Sequence, residues 1–494
     1  MSKRKKTVDE LLEEALVSEG EQPYEIPNNW VWVKLDTSKK DRESFGDGDW
    51  ILSEYIDPNG EVRLIQLSDI GQGKFLNKSS RYISMKTFEE LRCREIFPGD
   101  ILISRMAHPI ARSCIVPDLK QKLITAVDVA YLRPNEKIFD TEYLNYMFNS
   151  IFFRTQAEGV ARGTTRLRIT RKNLGNLAIP FPPLNEQKRI ANKVERLLGK
   201  IEEAKQLIEE VKETFELRRA AILDKAFRGE LTRRWREENI RKIPISSDPL
   251  NSVGTNNKSI KATSLVPEAS IPDTWKWVLS NELFSFITSG SRGWAKYYSD
   301  DGDLFLRVGN LNHESIDIDL TNRQNVSPPE GTEGTRTLVQ EGDILVSITA
   351  DVGRIAVVPK QFPKAYINQH IALARPSSGY CIEYVAWFLS SRNGGRLQFD
   401  RLQRGATKAG LRLNDIKNVW LPVPSLEEQY EIVRKIQSAF NKFEVAEKSL
   451  TDTLEVYEEL EKSILGKAFR GELGTNDPSE ENAIELLKEV LQDK

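Results

Sequence analysis

Lys225-Ala226-Phe227-Arg228-Gly229-Glu230-Leu231 recurs without change as Lys467-Ala468-Phe469-Arg470-Gly471-Glu472-Leu473. The copies lie 242 residues apart, and the match extends back without a gap. Leu177–Leu231 aligns with Val419–Leu473 at 21 identities in 55 positions. Among them are Pro180/Pro422, Pro182/Pro424, Glu186/Glu428 and Gln187/Gln429. Weaker similarity reaches further upstream. Ile26-Pro27-Asn28-Asn29-Trp30-Val31-Trp32 resembles Ile271-Pro272-Asp273-Thr274-Trp275-Lys276-Trp277, and Gly99-Asp100-Ile101-Leu102 returns as Gly342-Asp343-Ile344-Leu345. Two copies therefore fill almost the whole chain, each a variable globular part followed by a better-preserved helical part.

The helical parts carry apolar residues at alternating four- and three-residue steps. Ile190, Val194, Leu197 and Ile201 begin the first series, and Ile432, Ile436, Ala439 and Phe443 the second. Sustained over more than four heptads, this spacing predicts two helices that form a coiled coil. Glu186 and Glu428 favour the first turns, and Gly229 and Gly471 the C-terminal stops. From Asn185 to Arg228 such a helix measures roughly 66 Å at about 1.5 Å per residue. Antiparallel pairing of the two would place the globular parts at opposite ends. The globular parts are rich in short β-type runs, such as Ile101–Ile103 and Val127–Leu132, punctuated by Gly, Asp, Asn and Pro. Short helices are expected over 141–153 and 382–391.

The fold expected is α+β: two tandem mixed α/β domains joined by two long helices in an antiparallel, pseudo-twofold spacer. Its predicted parts are an amphipathic helix within 1–23, a first globular domain 24–178, and a first spacer helix 179–235. A linker 236–270, a second domain 271–420, a second spacer helix 421–475 and a terminal helix 476–494 follow. Thr7-Val8-Asp9-Glu10 is a capping box, and Asp477-Pro478-Ser479-Glu480 is expected to open the last helix. The terminal helices could dock on a partner or close the repeat.

The chain has 494 residues, 71 basic and 73 acidic, a formal charge of -2. That excludes a uniformly basic nucleic-acid coat but not local basic patches. Residues 154–172 hold Arg154, Arg162, Arg166, Arg168, Arg171 and Lys172 against one acid, Glu158. Residues 392–412 hold Arg392, Arg396, Arg401, Arg404, Lys408 and Arg412 against one acid, Asp400. Both stretches stand at the same place in the repeat, and Gly163 and Thr165 match Gly405 and Thr407. Cationic side chains bind phosphates, and Arg also reads guanine. The pattern points to nucleic-acid contact through Arg162, Thr165, Arg166, Arg168 and Arg171, and through Arg404, Thr407, Lys408 and Arg412. The loop Ser291-Arg292-Gly293-Trp294-Ala295-Lys296 adds Ser291, Arg292, Trp294 and Lys296, with core aromatics in an ordinary turn as the alternative. Arg105, after the Gly-Asp-Ile-Leu strand, is a further candidate. In the first copy the best counterpart of the Ser291 loop is Lys39, Lys40 and Arg42 near Phe45 and Trp50.

No Walker loop or amino-methyltransferase motif is present, and the histidines lack ligand-spaced companions. A nucleophile, acid and base could be drawn only from Ser347, Asp351 and His370. Catalytic and metal-ligating residues are therefore expected to be absent. The three cysteines fit a reducing, cytoplasmic setting, and no apolar stretch is long enough to span a membrane.

In order, twice, and at this spacing, the Ile-Pro-Asn-Asn-Trp-Val-Trp-Val, Pro-Pro-Leu-Asn-Glu-Gln-Lys-Arg-Ile and Lys-Ala-Phe-Arg-Gly-Glu-Leu segments resemble the specificity subunits of type I restriction–modification systems. The resemblance covers about 24–475. It implies two target recognition domains, each reading half of a bipartite, asymmetric double-stranded DNA sequence, and a helical spacer that sets the gap. It also implies two modification (methyltransferase) subunits and restriction (motor–nuclease) subunits as partners. S-adenosylmethionine, ATP and Mg would then be bound by those partners and no cofactor by this chain. Lys225, Phe227, Arg228, Glu230, Lys467, Phe469, Arg470 and Glu472 are candidates for partner contact, with a helix stop as the alternative role. A compact nuclease–methyltransferase partner and a protein-only coiled-coil scaffold are the competing readings.

Overall fold

The computed structural model describes residues 6–106, 108–163, 166–239, 269–329, 331, 336–404 and 410–492. A short helix α1 (Val8–Ala15) precedes strands β1 (Val31–Lys34), β2 (Phe45–Asp47), β3 (Val62–Ile65) and β4 (Arg81–Ile83) and helix α2 (Met85–Glu90). Strands β5 (Ile101–Ser104), β6 (Ser113–Ile115), β7 (Lys122–Thr125) and β8 (Val129–Leu132) follow. Then come α3 (Thr141–Phe148), α4 (Ile151–Val160), α5 (Arg171–Gly175) and β9 (Ala178–Phe181). The long helix α6 (Leu184–Phe227) and α7 (Arg233–Asn239) end the first copy.

The second copy holds β10 (Lys276–Leu279), α8 (Ser280–Leu283), β11 (Phe284–Ser289), β12 (Tyr298–Ser299), β13 (Asp303–Leu306) and β14 (Asn325–Val326). It continues with β15 (Ile344–Ser347), β16 (Ile355–Val357), β17 (Ala365–Ile367), β18 (Ile371–Pro376), α9 (Ile382–Ser390), α10 (Leu397–Leu402), α11 (Leu413–Ile416) and β19 (Trp420–Val423). The second long helix α12 (Leu426–Phe469) and α13 (Ala483–Gln492) complete the chain. Two compact units result, Met1–Leu207 with Thr451–Lys494, and Ile208–Leu450, so the division cuts both long helices.

Each unit repeats one topology. A four-stranded antiparallel sheet has the order β2-β8-β5-β6 in the first copy and β11-β18-β15-β16 in the second. A second sheet beside it, three-stranded in the first copy and four-stranded in the second, contains one parallel pair, β3 with β7 or β13 with β17. The ends of each globular part are tied by a two-stranded ribbon. Trp32 stands opposite Pro180 in β1–β9, and Trp277 opposite Pro422 in β10–β19. This explains why the Ile-Pro-x-x-Trp segment and the Pro-x-Pro segment both recur. Proline lacks an N–H, and such edge ribbons tolerate it.

The repeated Glu-Gln pair anchors each long helix. Gln187 Nε2 donates to Pro182 O (2.9 Å) and Ile138 O (2.8 Å), while its Oε1 accepts from Asp140 N. Gln429 makes the matching bonds to Pro424 O and from Cys381 N. The long helices pair antiparallel within each unit. In the first, Lys193 Nζ donates to Leu473 O (2.7 Å) and Lys205 pairs with Glu461 (2.9 Å). In the second, Arg219 pairs with Glu447 (3.0 Å), and Thr232 Oγ1 donates to Glu428 Oε1 (2.7 Å). The predicted seam is buried at Ile190, Val194, Ile201, Ile432, Ile436 and Ile464, where it joins the domain cores. At Val211 and Leu460, 42% and 44% exposed, the seam is open.

The helix expected over 141–153 is broken. Ser150 Oγ accepts from Phe153 N and starts a new helix there. Thr7 and Glu10 form the predicted capping box of α1. The last helix begins later than expected: Asp477 closes a turn on Ser479, and α13 starts at Ala483 after Asn482 accepts from Ile484 N. α1 and α13 pack on the core of the first unit, so they close it.

Candidate nucleic-acid interface

In the first unit, three loops and one turn converge at one end of the four-stranded sheet. β2 runs out into Gly48-Asp49-Trp50, β5 runs out into Arg105-Met106, and β8 is entered through Ala126-Val127-Asp128. The Arg162–Arg168 turn closes on itself, with Arg162 N donating to Arg168 O (3.0 Å) and Arg168 N to Arg162 O (2.9 Å). It is laid against the loop after β5, because Ile169 N donates to Arg105 O (2.9 Å). Arg162 and Arg166 are exposed; Arg168 is half-buried, 3.7 Å from Asp128.

Arg105 is buried and faces inward. Its guanidinium donates to Ile169 O (3.1 Å) and Val127 O (3.2 Å) and pairs with Asp47. Burial lowers its pKa, partly offset by Asp47. Arg105 thus staples the loops together. Arg171 is turned toward Asp36 (3.3 Å), Phe45 O (3.2 Å) and the Phe45 ring, where it holds α5 to β2.

The second unit builds the same edge from other residues. Gly290-Ser291-Arg292, Ile348-Thr349 and Asn368-Gln369-His370 take the three loop positions. Arg404 and Gly410 exchange two backbone bonds of 3.3 Å, and Leu411 N donates to Ile348 O (2.9 Å). Arg292, Lys296, Arg404 and Arg412 are exposed. Ser291 is buried and accepts from Arg336 Nη2 (3.2 Å). Trp294 is buried and stacks on Phe305 at 5.3 Å and 6°, which makes its ring a core element. Thr165, Thr407 and Lys408 lie outside the described residues.

The first-copy counterpart of the Ser291 loop is settled by backbone geometry. Asp49 bridges Ala126 in parallel, and Ser291 bridges Asn368 in the same way. A Cβ on Gly48 would lie 2.3 Å from Ala126 O, and one on Gly290 2.2 Å from Asn368 O. Only glycine lets the backbones come this close. Asp47–Trp50 therefore corresponds to Ser289–Arg292. Lys39 and Lys40 sit beside Pro134 and Arg133, beyond the other end of β8, so they are not the counterpart. Trp50 is 68% exposed, and its distance of 242 residues from Arg292, the offset of the repeat, is the clue to it in the sequence.

The two Lys-Ala-Phe-Arg-Gly-Glu-Leu segments end the long helices. Phe469 packs against Tyr143 (5.5 Å), and Phe227 against Tyr384 (5.4 Å) and Phe388 (5.1 Å). Both phenylalanines are buried, whereas Lys225, Arg228, Glu230, Lys467, Arg470 and Glu472 are exposed. Arg228 pairs with Asp224 (3.2 Å), and Arg470 lies over the Tyr24 ring (5.5 Å). Glu428 gathers Thr232, Arg236 and Trp275 Nε1, which locks the segment after α6 to the start of α12. Thr475 donates likewise to Glu186 (2.7 Å).

Ser347, Asp351 and His370 form no triad. Ser347 Oγ donates to the Asp351 backbone carbonyl, the Asp351 carboxylate is held by His313 (2.8 Å) and Arg354, and His370 Nδ1 meets Thr349. Burial opposes ionisation of Asp351, but the bonds from His313 and Arg354 outweigh it and lower the pKa. The cysteines are buried, and burial pushes Cys93 up to about 11 and Cys114 and Cys381 up to about 12. Among the described residues no cluster of three or more His, Cys, Asp or Glu could hold a metal, and no helix is long and apolar enough to cross a membrane.

A duplicated loop edge carrying exposed arginines, each copy closed by a long paired helix, defines a tandem-repeat DNA-recognition component. The chain belongs to the type I restriction–modification DNA specificity domain family, whose model matches residues 45–213 and 278–455. The Escherichia coli type I restriction enzyme EcoBI specificity subunit is 26% identical over 454 residues, covering 91% of this chain and 87% of that one. The type I restriction enzyme EcoKI specificity subunit of Escherichia coli K12 is 26% identical over 419 residues, with 83% and 82% covered. Among solved structures, the HsdS subunit of Thermoanaerobacter tengcongensis matches with TM-score 0.55 at 23% identity, covering 91% of this chain and 99% of that one. A chain from a structure of type I R-M complex assembly and conformational transition matches with TM-score 0.65 at 22% identity, with 91% and 100% covered. The function is that of a type I restriction–modification specificity subunit.

Proposed function

We propose that each copy reads one half of a bipartite, asymmetric double-stranded DNA target, and that the α6–α12 pair sets the unread gap. The observation that carries this reading is the same loop edge built twice, with Arg162 and Arg166 exposed in one copy and Arg404 and Arg412 in the other. Arginines bind phosphates and position the duplex, while divergent loops select bases. The chain acts without catalysis of its own. Two modification subunits bind it and supply S-adenosylmethionine-dependent methylation, and restriction subunits add ATP- and Mg-dependent steps. The exposed Lys225, Arg228 and Glu230, with Lys467, Arg470 and Glu472, are candidate contacts for those partners, and the setting is cytoplasmic.

The test is to map methylated sites in cells carrying this chain and its modification subunit. A motif of two short half-sites with a fixed gap is expected. Removing one heptad from each of α6 and α12 shortens the pair by about 10 Å, so the gap should lose about three base pairs. An unchanged gap would refute the spacer role.

A further inference from the structure

Trp50 and Arg292 stand at one position of the repeated edge. Each is the first residue beyond a parallel bridge, Asp49 to Ala126 or Ser291 to Asn368, and each bridge follows a glycine pressed against the opposing carbonyl. Gly48 N donates to Val129 O (2.9 Å) and Gly290 N to Ile371 O (3.2 Å), so the two loops leave their sheets in the same way. Both side chains are exposed.

Their surroundings differ in charge. Trp50 follows Asp47 and Asp49; Asp47 is tied to Arg105, and Asp49 accepts from Arg94 N (2.9 Å). Arg292 follows Ser289 and Ser291, which are neutral. With Asp47 paired to Arg105, Asp49 is the acid left beside Trp50; it disfavours phosphate, so an exposed indole there is suited to the apolar edge of a base. A guanidinium at the same place is suited to the two acceptors of guanine.

We propose that Trp50 and Arg292 are equivalent specificity-determining residues of opposite chemistry. Trp50 contacts the 5-methyl edge of a thymine in one half-site, and Arg292 pairs with a guanine in the other. This rests on the reading of each copy as a half-site reader.

The experiment uses the assembled complex of this chain with its modification subunit, on a duplex library randomised across both half-sites and sequenced for methylated adenine. Trp50→Ala should relax one A·T position in one half-site by about 10- to 100-fold. Trp50→Phe should keep that preference, and Arg292→Ala should relax one G·C position in the other half-site. The proposal is overturned if Trp50→Ala leaves the motif intact, if both variants relax the same half-site, or if the relaxed pairs are of other types. A wild-type complex without a bipartite motif would sink the half-site reading itself, whereas a normal motif untouched by the variants would sink only this assignment.

Discussion

Asp100 and Asp343, from the repeated Gly-Asp-Ile-Leu motif, each hold an arginine at the end of the neighbouring strand, Arg133 just beyond β8 and Arg375 in β18. Arg133 reaches both oxygens of Asp100 at 2.8 Å, and Arg375 reaches those of Asp343 at 2.7 and 2.8 Å. Each carboxylate is buried and also accepts a backbone N–H, from Phe97 or Gln340. These motifs are therefore fixtures of the four-stranded sheet, and their recurrence reflects folding. Asp343→Ala strands the Gln340 N–H and one face of Arg375. Because Arg375 is partly exposed, the loss should be about 2–4 kcal/mol, read by urea unfolding. A change below about 0.5 kcal/mol would show that the clamp is idle. The arginine stretches were legible in the sequence as composition, but the division of labour within them was not. Arg162 and Arg166 are presented, while Arg171 is used up inside, because burial depends on which loops meet them.

At the level of elements, the helix stops explain the most perfect repeat. Gly229 and Gly471 have φ of 73° and 76°, and a Cβ on either would lie 2.4 or 2.3 Å from Cγ of Pro272 or Pro27. The heptapeptide is thus a joint: it ends a long helix and seats the first residues of a globular part. Gly229→Ala and Gly471→Ala should each destabilise the chain by about 1–3 kcal/mol, through left-handed strain and overpacking. Hydrogen exchange should localise the first to Ile208–Leu450 and the second to the other unit; protection left unaltered in both would contradict the joint. The length of the helices was visible from heptad spacing, and α6 and α12 each hold 44 residues. The break at Ser150 was not, because a serine cap competes with an otherwise helical run and tertiary contacts choose between them.

For the molecule as a whole, a formal charge of -2 and exposed arginines on two separate edges make DNA binding a local matter. Affinity of the assembled complex should fall steeply with salt, since phosphate contacts release counterions. Arg162→Glu with Arg166→Glu should weaken binding to every sequence alike and lower the slope of log affinity against log salt by about two. Filter binding at several salt concentrations checks this, and an unchanged slope would remove the turn from the phosphate contacts. Assembly with the modification subunit, followed by size, should be unaffected.

By itself the sequence determined the duplication, the two long helices and their stops, the α+β class and the family resemblance. Those properties are written in order and period along the chain, where repeats and heptads can be read directly. Only the tertiary structure decided which residues share an edge. Gly48 and Gly290 stand at the 242-residue offset of the repeat in segments that otherwise share little, and both let one backbone press on a carbonyl 78 residues further on. That contact makes Trp50 the counterpart of Arg292, puts Lys39 and Lys40 at the far end of the strand, and turns Trp294 into the core. Such equivalences depend on sheet register and close approach across long sequence separations, which local pattern does not record.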